Sequence, residues 1–313
     1  MEISDRNECK AEARAALSQA TYDPRRLRLI HTGVVLGISL LCILVGFLLE
    51  NQMKHTAGLG GVGTRAILET VQTLLNGGRL LLLPFWQIGF LYASMNLVRR
   101  KPAEPRTLME GFRRFLPFLR LQLIMGVIYA LIVSAAGYAG AMVFVMTPFS
   151  DPLMNIDLSG VPEEEALNVL MAAFSKPDVM IPLLLIVGVI ALVIGLPLAY
   201  KFRMANYCLL DDKNGKALRA ILMSWRIMWG EIWPLVKLDL SFWWFYLLEL
   251  LVAAIYYLDL LLPLLGVELP VSREVGMLVS FLVYAGLQLV LYAWKKNEVD
   301  VTYAVAYETV KQE

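Results

Sequence analysis

Histidine and cysteine are both scarce in this chain, at two and three in 313 residues. Cys9, Cys42 and Cys208 form no C-x-x-C pair, so neither a disulfide framework nor a zinc site is indicated. His31 and His55 are isolated, with no carboxylate at fixed spacing. There is no H-E-x-x-H, G-x-S-x-G or Walker sequence, which removes the familiar signatures of zinc peptidases, serine hydrolases and P-loop nucleotidases. The run G-L-G-G-V-G at 58–63 looks superficially like a dinucleotide loop, but no βαβ pattern surrounds it and it reads as a turn. Charge is sparse too, at 18% of residues against about 25% in soluble domains. The expectation is a non-catalytic protein with no cofactor, no metal and no nucleic-acid partner.

What is present instead is apolar residue, 58% of the chain, gathered in blocks. A helix needs about 20 predominantly apolar residues to cross a bilayer, and six blocks reach that length: 29–49, 80–98, 117–146, 181–210, 233–255 and 275–294. They predict an all-α, polytopic helical membrane protein with about six transmembrane helices and the lipid bilayer as its surroundings. Residues 1–28 are polar and mixed in charge, and no A-x-A-like site follows the first block, so that block reads as a retained helix rather than a signal peptide. The expected organisation is a cytoplasmic segment at 1–28, a membrane domain at 29–294 and a cytoplasmic tail at 295–313. Pro182 is expected in the first turn of the fourth span, where its missing N–H costs nothing.

Lysine and arginine set the orientation. Segments 1–28, 99–120, 201–232 and 295–313 hold six, seven, six and three of them, twenty-two in all. The intervening segments 50–79, 147–180 and 256–274 hold three, one and one. This bias predicts both termini on the cytoplasmic side. On the outer side, Ile67, Leu68, Val71, Leu74 and Leu75 have helical spacing and suggest a short interfacial helix. The acidic segment 147–180 carries E-E-E at 163–165 after Pro162, which suits a helix N-terminus.

Two cytoplasmic connections share a pattern. P-F-L-R-L-Q-L at 117–123 aligns with P-L-V-K-L-D-L at 234–240. An amphipathic helix is expected before each, with Leu108, Phe112, Phe115 and Leu119 on one face of the first and Leu218, Leu222, Trp225 and Trp229 on one face of the second. Together they suggest a parallel two-helix repeat, span–interfacial helix–span, made of spans two and three and of spans four and five.

Ionisable groups at membrane depth are expensive and therefore candidates for function. Counting helical rise inward places Arg203 and Asp239 level with each other. The expected site is a cytoplasm-facing polar cluster of Arg203, Asp239, Asn206 and Lys237, with Asn96 facing Gln122. The plainer alternative is that Lys201, Arg203 and Lys237 only mark the inner boundary by reaching the headgroups. Glu249, about 24 Å along a straight span five, is expected at the outer edge of the hydrocarbon. Gln288 reads as an interhelical hydrogen-bond donor. Asp211-Asp212 reads as a turn before Asn214-Gly215, with a divalent cation as the alternative.

From Tyr200 onward the chain resembles the bacterial integral-membrane family catalogued as domain of unknown function 975. F-R-M-A-N-Y-C-L-L-D-D at 202–212, K-A-L-R-A-I-L-M-S-W-R-I-M-W-G at 216–230 and L-D-L-S-F-W-W at 238–244 carry the likeness. A-E-A-R-A-A-L near the start and T-Y-A-V-A-Y-E near the end look similar too. The resemblance implies a multi-span protein of a bacterial cytoplasmic membrane and supplies no catalytic residue. Three functions stay open: transport or membrane handling of a small solute or lipid-like molecule, a scaffold receiving a protein partner on its interfacial helices, and a lipid-headgroup enzyme using Asp211, Asp212 or Glu249.

Overall fold

The computed structural model describes residues 6–55, 62–156, 162–212, 215–258 and 273–312, and among them the only regular structure is helical. Residues 58–61 of the turn expected at 58–63, the middle of the acidic segment and Asp259 lie outside the described residues, while Val62 and Gly63 are already helical. Five helices are long and apolar enough to cross a membrane, and a bent pair makes a sixth, as an all-α polytopic protein requires. The chain divides into two compact units.

The first unit comprises 1–118, 206–216 and 233–313. Helix α1 (Arg6–Ser18) precedes α2 (Pro24–His55). Asp23 caps α2 by accepting from the Arg25 N–H at 2.9 Å, and Pro24 takes the first helical position. Helix α3 runs unbroken over Val62–Val98. The short interfacial helix and the second span expected from the sequence are therefore one element, and Gly77-Gly78 does not interrupt it. Helix α3 ends in a left-handed residue, Arg100 at φ 53°. The N–H groups of Arg100 and Lys101 return to the carbonyls of Leu97 (3.1 Å) and Asn96 (2.8 Å), a Schellman closure with arginine where glycine is usual.

The first amphipathic helix expected at 108–119 is not one helix. It is a 3-10 turn (Pro105–Met109), a single turn α4 (Glu110–Arg113) and a break at Arg114, before α5 starts. The cause is close packing on α3. A Cβ at Gly89 would stand 1.8 Å from the Leu108 carbonyl oxygen, and one at Gly111 would stand 2.0 Å from that of Phe85. Leu108 is fully buried by this crossing, and Phe85 meets Phe115 with ring centroids 4.4 Å apart.

The second unit comprises 119–205 and 217–232. It takes in most of α5 (Phe115–Val145), a single turn α6 (Asp151–Met154), α7 (Glu163–Phe174), α8 (Pro177–Phe202) and α10 (Ala217–Ile227). Helix α7 begins at the E-E-E run, as its chemistry suggested. Helix α8 begins at Pro177, so Pro182 lies inside it rather than in its first turn. Leu184, Leu185, Val189, Leu192 and Val193 on α8 are all exposed, a surface that suits lipid and not water. Helix α10 buries Ala217, Ala220, Ile221 and Ser224 and exposes Leu218 and Leu222, and Trp229 is exposed just beyond its end.

Short α9 (Ala205–Asp211) returns the chain to the first unit, where α11 (Ile232–Leu240) and α12 (Trp243–Tyr256) follow. The fifth span is bent by 63° between α11 and α12. Helix α13 (Arg273–Leu291) passes through a π-helical turn (Tyr292–Lys296) into α14 (Asn297–Gln312). The two units cut across the suggested repeat, because α3 belongs to the first and most of α5 to the second. Both aligned heptapeptides are helical, yet one continues into an uninterrupted helix and the other into the bend.

Segment 295–313, which composition marks as a polar tail, is the centre of the first unit. Val299, Val301, Ala304, Val305, Ala306 and Tyr307 of α14 are all buried. Val301 and Val305 pack with Cys9 and Ala13 of α1 and with Phe90, Ala93 and Leu97 of α3.

Candidate functional site

Helix α14 carries polar side chains on several faces, and its burial is possible because each finds a partner on a different element. Glu298 accepts from Arg14 of α1 at 2.9 Å. Asn297 donates to the Pro24 carbonyl at 3.0 Å. Tyr303 donates to Asp239 of α11 and shares a 2.6 Å contact with Tyr246 of α12. Tyr307 donates to Asp211 of α9 at 2.8 Å and stacks on Tyr207. Glu308 accepts from Arg99 at 2.7 Å, and Arg99 also meets Asp211 at 2.7 Å. Burial would lower the pKa of the Arg99 guanidinium, but hydrogen bonds to Asp211 and Glu308 outweigh it and raise it above the ordinary value.

Above this network, in the same unit, lies a cavity of about 290 Å³ with polar walls. Helix α2 contributes Arg28, His31, Thr32 and Val35, and α3 contributes Gln87. Glu249 comes from α12, Gln288 from α13, and Tyr292 and Lys296 from the π-helical turn. The extra residue of a π turn re-aims neighbouring side chains, and such turns gather at functional sites. Here it sets both Tyr292 and Lys296 on Glu249: Tyr292 donates its hydroxyl to the Glu249 carboxylate, and Lys296 stands 3.7 Å from it.

Arg28 is 1% exposed. Its guanidinium pairs with Asp300, donates to Asn297 Oδ1 at 3.2 Å, and lies 3.4 Å from the centroid of the Phe90 ring. A buried cation persists only when charge and hydrogen bonds are both met, and this one is held from three sides. One turn further along α2, His31 packs between Trp86 and Phe90, with ring centroids 5.9 and 5.0 Å away. The indole of Trp86 donates to the His31 carbonyl at 3.0 Å, which fixes that turn of α2 against α3. The side chains of His31 and Thr32 are each 3% exposed, and neither has a hydrogen-bond partner among the described residues.

The residues singled out from the sequence fall elsewhere. Asp239 is half-buried and accepts from Tyr303. Lys237 is exposed on α11, Asn206 is half-buried on α9, and Asn96 is buried on α3. These four belong to the first unit, while Arg203 and Gln122 belong to the second. Arg203 lies 5.3 Å from the Tyr200 ring centroid, and its N–H closes α8 on the Tyr200 carbonyl at 3.2 Å. Lys201 reaches over the rings of Trp225 (3.9 Å) and Trp229 (4.2 Å), and Ser224 donates to its carbonyl at 2.7 Å, so α10 is locked to the end of α8.

Asp211 takes up Arg99, Tyr307 and Lys311 together. Asp212 accepts from the Lys216 N–H at 3.1 Å, the turn geometry its position suggested. Among the described residues no cluster of three or more histidine, cysteine or acidic side chains could hold a metal ion.

Glu249 is where sequence reasoning erred most. Its expected place at the outer edge came from counting rise along a straight helix, and the 63° bend between α11 and α12 invalidates that count. Glu249 instead meets the first turns of α2. Arg28 was legible only as one basic residue among six, and His31 only as an isolated histidine at the edge of an apolar block. The usable signal was an ionisable residue sitting inside an apolar run, at Glu249 and at Arg28-x-x-His31.

A family model described as protein of unknown function (DUF975) matches residues 1–312. No curated protein matches the chain. No solved structure matches it either.

Proposed function

The chain belongs to this family over its whole length, and from its cavity we propose that it binds a small solute or lipid-like molecule in a transport or membrane-handling role. One observation carries the reading. A cavity walled by Arg28, His31, Glu249, Tyr292 and Lys296 lies among helices that are otherwise apolar and long enough to span a bilayer. Charged side chains packed among apolar helices are costly and are kept where they line a path or a site. At about 290 Å³ the volume is close to the lower bound of small-molecule pockets, about 300 Å³.

The same reading takes the role as non-catalytic. Asp211 is committed to Arg99, Tyr307 and Lys311, Asp212 to a turn, and Glu249 to Tyr292 and Lys296, so each acid a headgroup hydrolase would draw on is already engaged. It also takes the membrane to be a bacterial cytoplasmic membrane, as the family resemblance implies, with both termini inside, on the lysine and arginine bias.

The test is to fill the cavity. Val35→Trp places an indole in the space beside His31. Lipid and small-molecule extracts of the wild type, purified in mild detergent, are compared by mass spectrometry with those of the variant. A compound that accompanies the wild type and is lost from a folded Val35→Trp supports binding. Identical extracts, with no compound of a broad screen raising the melting temperature of the wild type alone, count against it.

A further inference from the structure

We infer that the cavity receives an anionic, oxygen-rich group, a phosphate or a carboxylate, with His31 and Thr32 as its hydrogen-bond donors. This rests on the binding role proposed above and names the chemistry of that ligand.

The argument is an inventory of what the walls offer and what they have already used. Two cations line the cavity, Arg28 and Lys296, against one carboxylate, Glu249. That carboxylate is engaged by the Tyr292 hydroxyl and by Lys296. The counter-charge of Arg28 comes from Asp300, which does not line the cavity. The Arg28–Asp300 pair is neutral overall but presents its positive end to the cavity, which favours an anion there over a cation.

The remaining groups point the same way. Lys296 has three donors and no acceptor, and one carboxylate does not exhaust it. Neutral imidazole has one N–H to give, and the threonine hydroxyl another. Both side chains are 3% exposed and without a partner, although buried polar groups in folded proteins are nearly always satisfied. His31 lies about 4.5 Å along the helix from Arg28, so one oxyanion can bridge the turn that both occupy. Arg28 itself is held rigid by Asn297, Asp300 and the Phe90 face, which fixes the site in advance.

Such an anion has two sources, a lipid headgroup or a soluble ion. The full chain in an uncharged detergent is titrated with dihexanoyl phosphatidylglycerol, with its uncharged counterpart dihexanoylglycerol, and with inorganic phosphate, each against sodium chloride of equal ionic strength. Affinity and melting temperature are read together. Stabilisation by the phosphatidylglycerol alone assigns a lipid headgroup, and stabilisation by phosphate as well assigns a free anion. In either case Thr32→Val and His31→Phe weaken binding about ten- to a hundredfold each, the usual effect of losing one hydrogen bond to a charged group. Neither substitution removes a side-chain hydrogen bond from the unliganded protein, and a melting temperature measured without ligand checks that each variant is folded. Thr70→Val, on α3 and outside the cavity, binds as wild type.

The inference is overturned if neither anion exceeds sodium chloride, or if Thr32→Val and His31→Phe bind as tightly as wild type. An uncharged compound that binds the wild type and not Val35→Trp would overturn the anion while leaving the binding role standing.

Discussion

Arg28, in the second turn of α2, and Asp300, in the last helix, form an ion pair across 272 positions of sequence. The arginine is buried and the aspartate half-buried, and the pair fastens the chain's final helix to its first apolar one. Removing one partner strands a charge, a loss of about 3–5 kcal/mol when the pair is buried. Asp300→Asn is expected to show a destabilisation of that order in denaturant unfolding of the purified protein. The double variant Arg28→Met/Asp300→Leu is expected to lose less than Arg28→Met alone, because it leaves no charge behind. Equal losses for single and double variants would contradict a coupled pair.

Deleting α14 removes the centre of the first unit. A chain ending at Lys296 exposes Phe90, Ala93, Leu97, Cys9 and Ala13, and it leaves Arg28 and Arg14 without their carboxylates. It is expected to be degraded in the membrane and to give no monodisperse peak in size-exclusion chromatography. A truncated protein with the melting temperature of the full chain would show that the segment is dispensable.

The crossing of α3 with 105–113 depends on two glycines. Gly89→Ala pushes a methyl group into the Leu108 carbonyl, a backbone atom that cannot swing aside. Overpacking usually costs about 1–3 kcal/mol, and this contact belongs at the upper end. Gly188→Ala on α8 meets nothing within 4 Å and serves as the neutral comparison in thermal unfolding.

Arg100 closes α3 at φ 53°, a conformation that disfavours side chains by about 1–2 kcal/mol. Its side chain is exposed. Arg100→Gly is expected to raise stability by about 1 kcal/mol, seen as a higher denaturant midpoint with an unchanged slope. A lower midpoint would mean that the guanidinium is held by something else.

Orientation is checked in intact cells with single cysteines and an impermeant maleimide. On the positive-inside reading, Lys176→Cys reacts from outside, while Arg106→Cys and Lys216→Cys react only after lysis. Labelling of Arg106→Cys in intact cells would reverse the proposed topology.

The helical architecture was legible because it follows from local rules. Apolar runs of spanning length and the E-E-E run at 163–165 each act within a turn or two of themselves. The bend between α11 and α12 was not legible, since W-P-L-V-K-L-D-L-S-F-W-W has no glycine and its proline lies well before Ser241. Nor was the broken helix at 105–114, whose residues have good helical periodicity and whose interruption is imposed by α3. The cavity was hidden for the same reason. Its walls come from α2, α3, α12, α13 and the π turn, and no window of sequence contains even two of the charges that face each other there.

What the chain's own order of residues decided was composition by block: which stretches belong in lipid, and which basic segments flank them. That follows from transfer energies that each residue carries wherever it is placed. What folding alone decided was the fate of the charges. Asn297, Glu298, Asp300, Tyr303, Tyr307 and Glu308 look like a solvated tail until α1, α2, α9 and α11 supply their partners, and only then does burying them become favourable. Arg28 is set on Asp300 and Lys296 on Glu249 by packing between segments more than forty residues apart, because the Coulomb energy of a pair depends on distance in space and not along the chain.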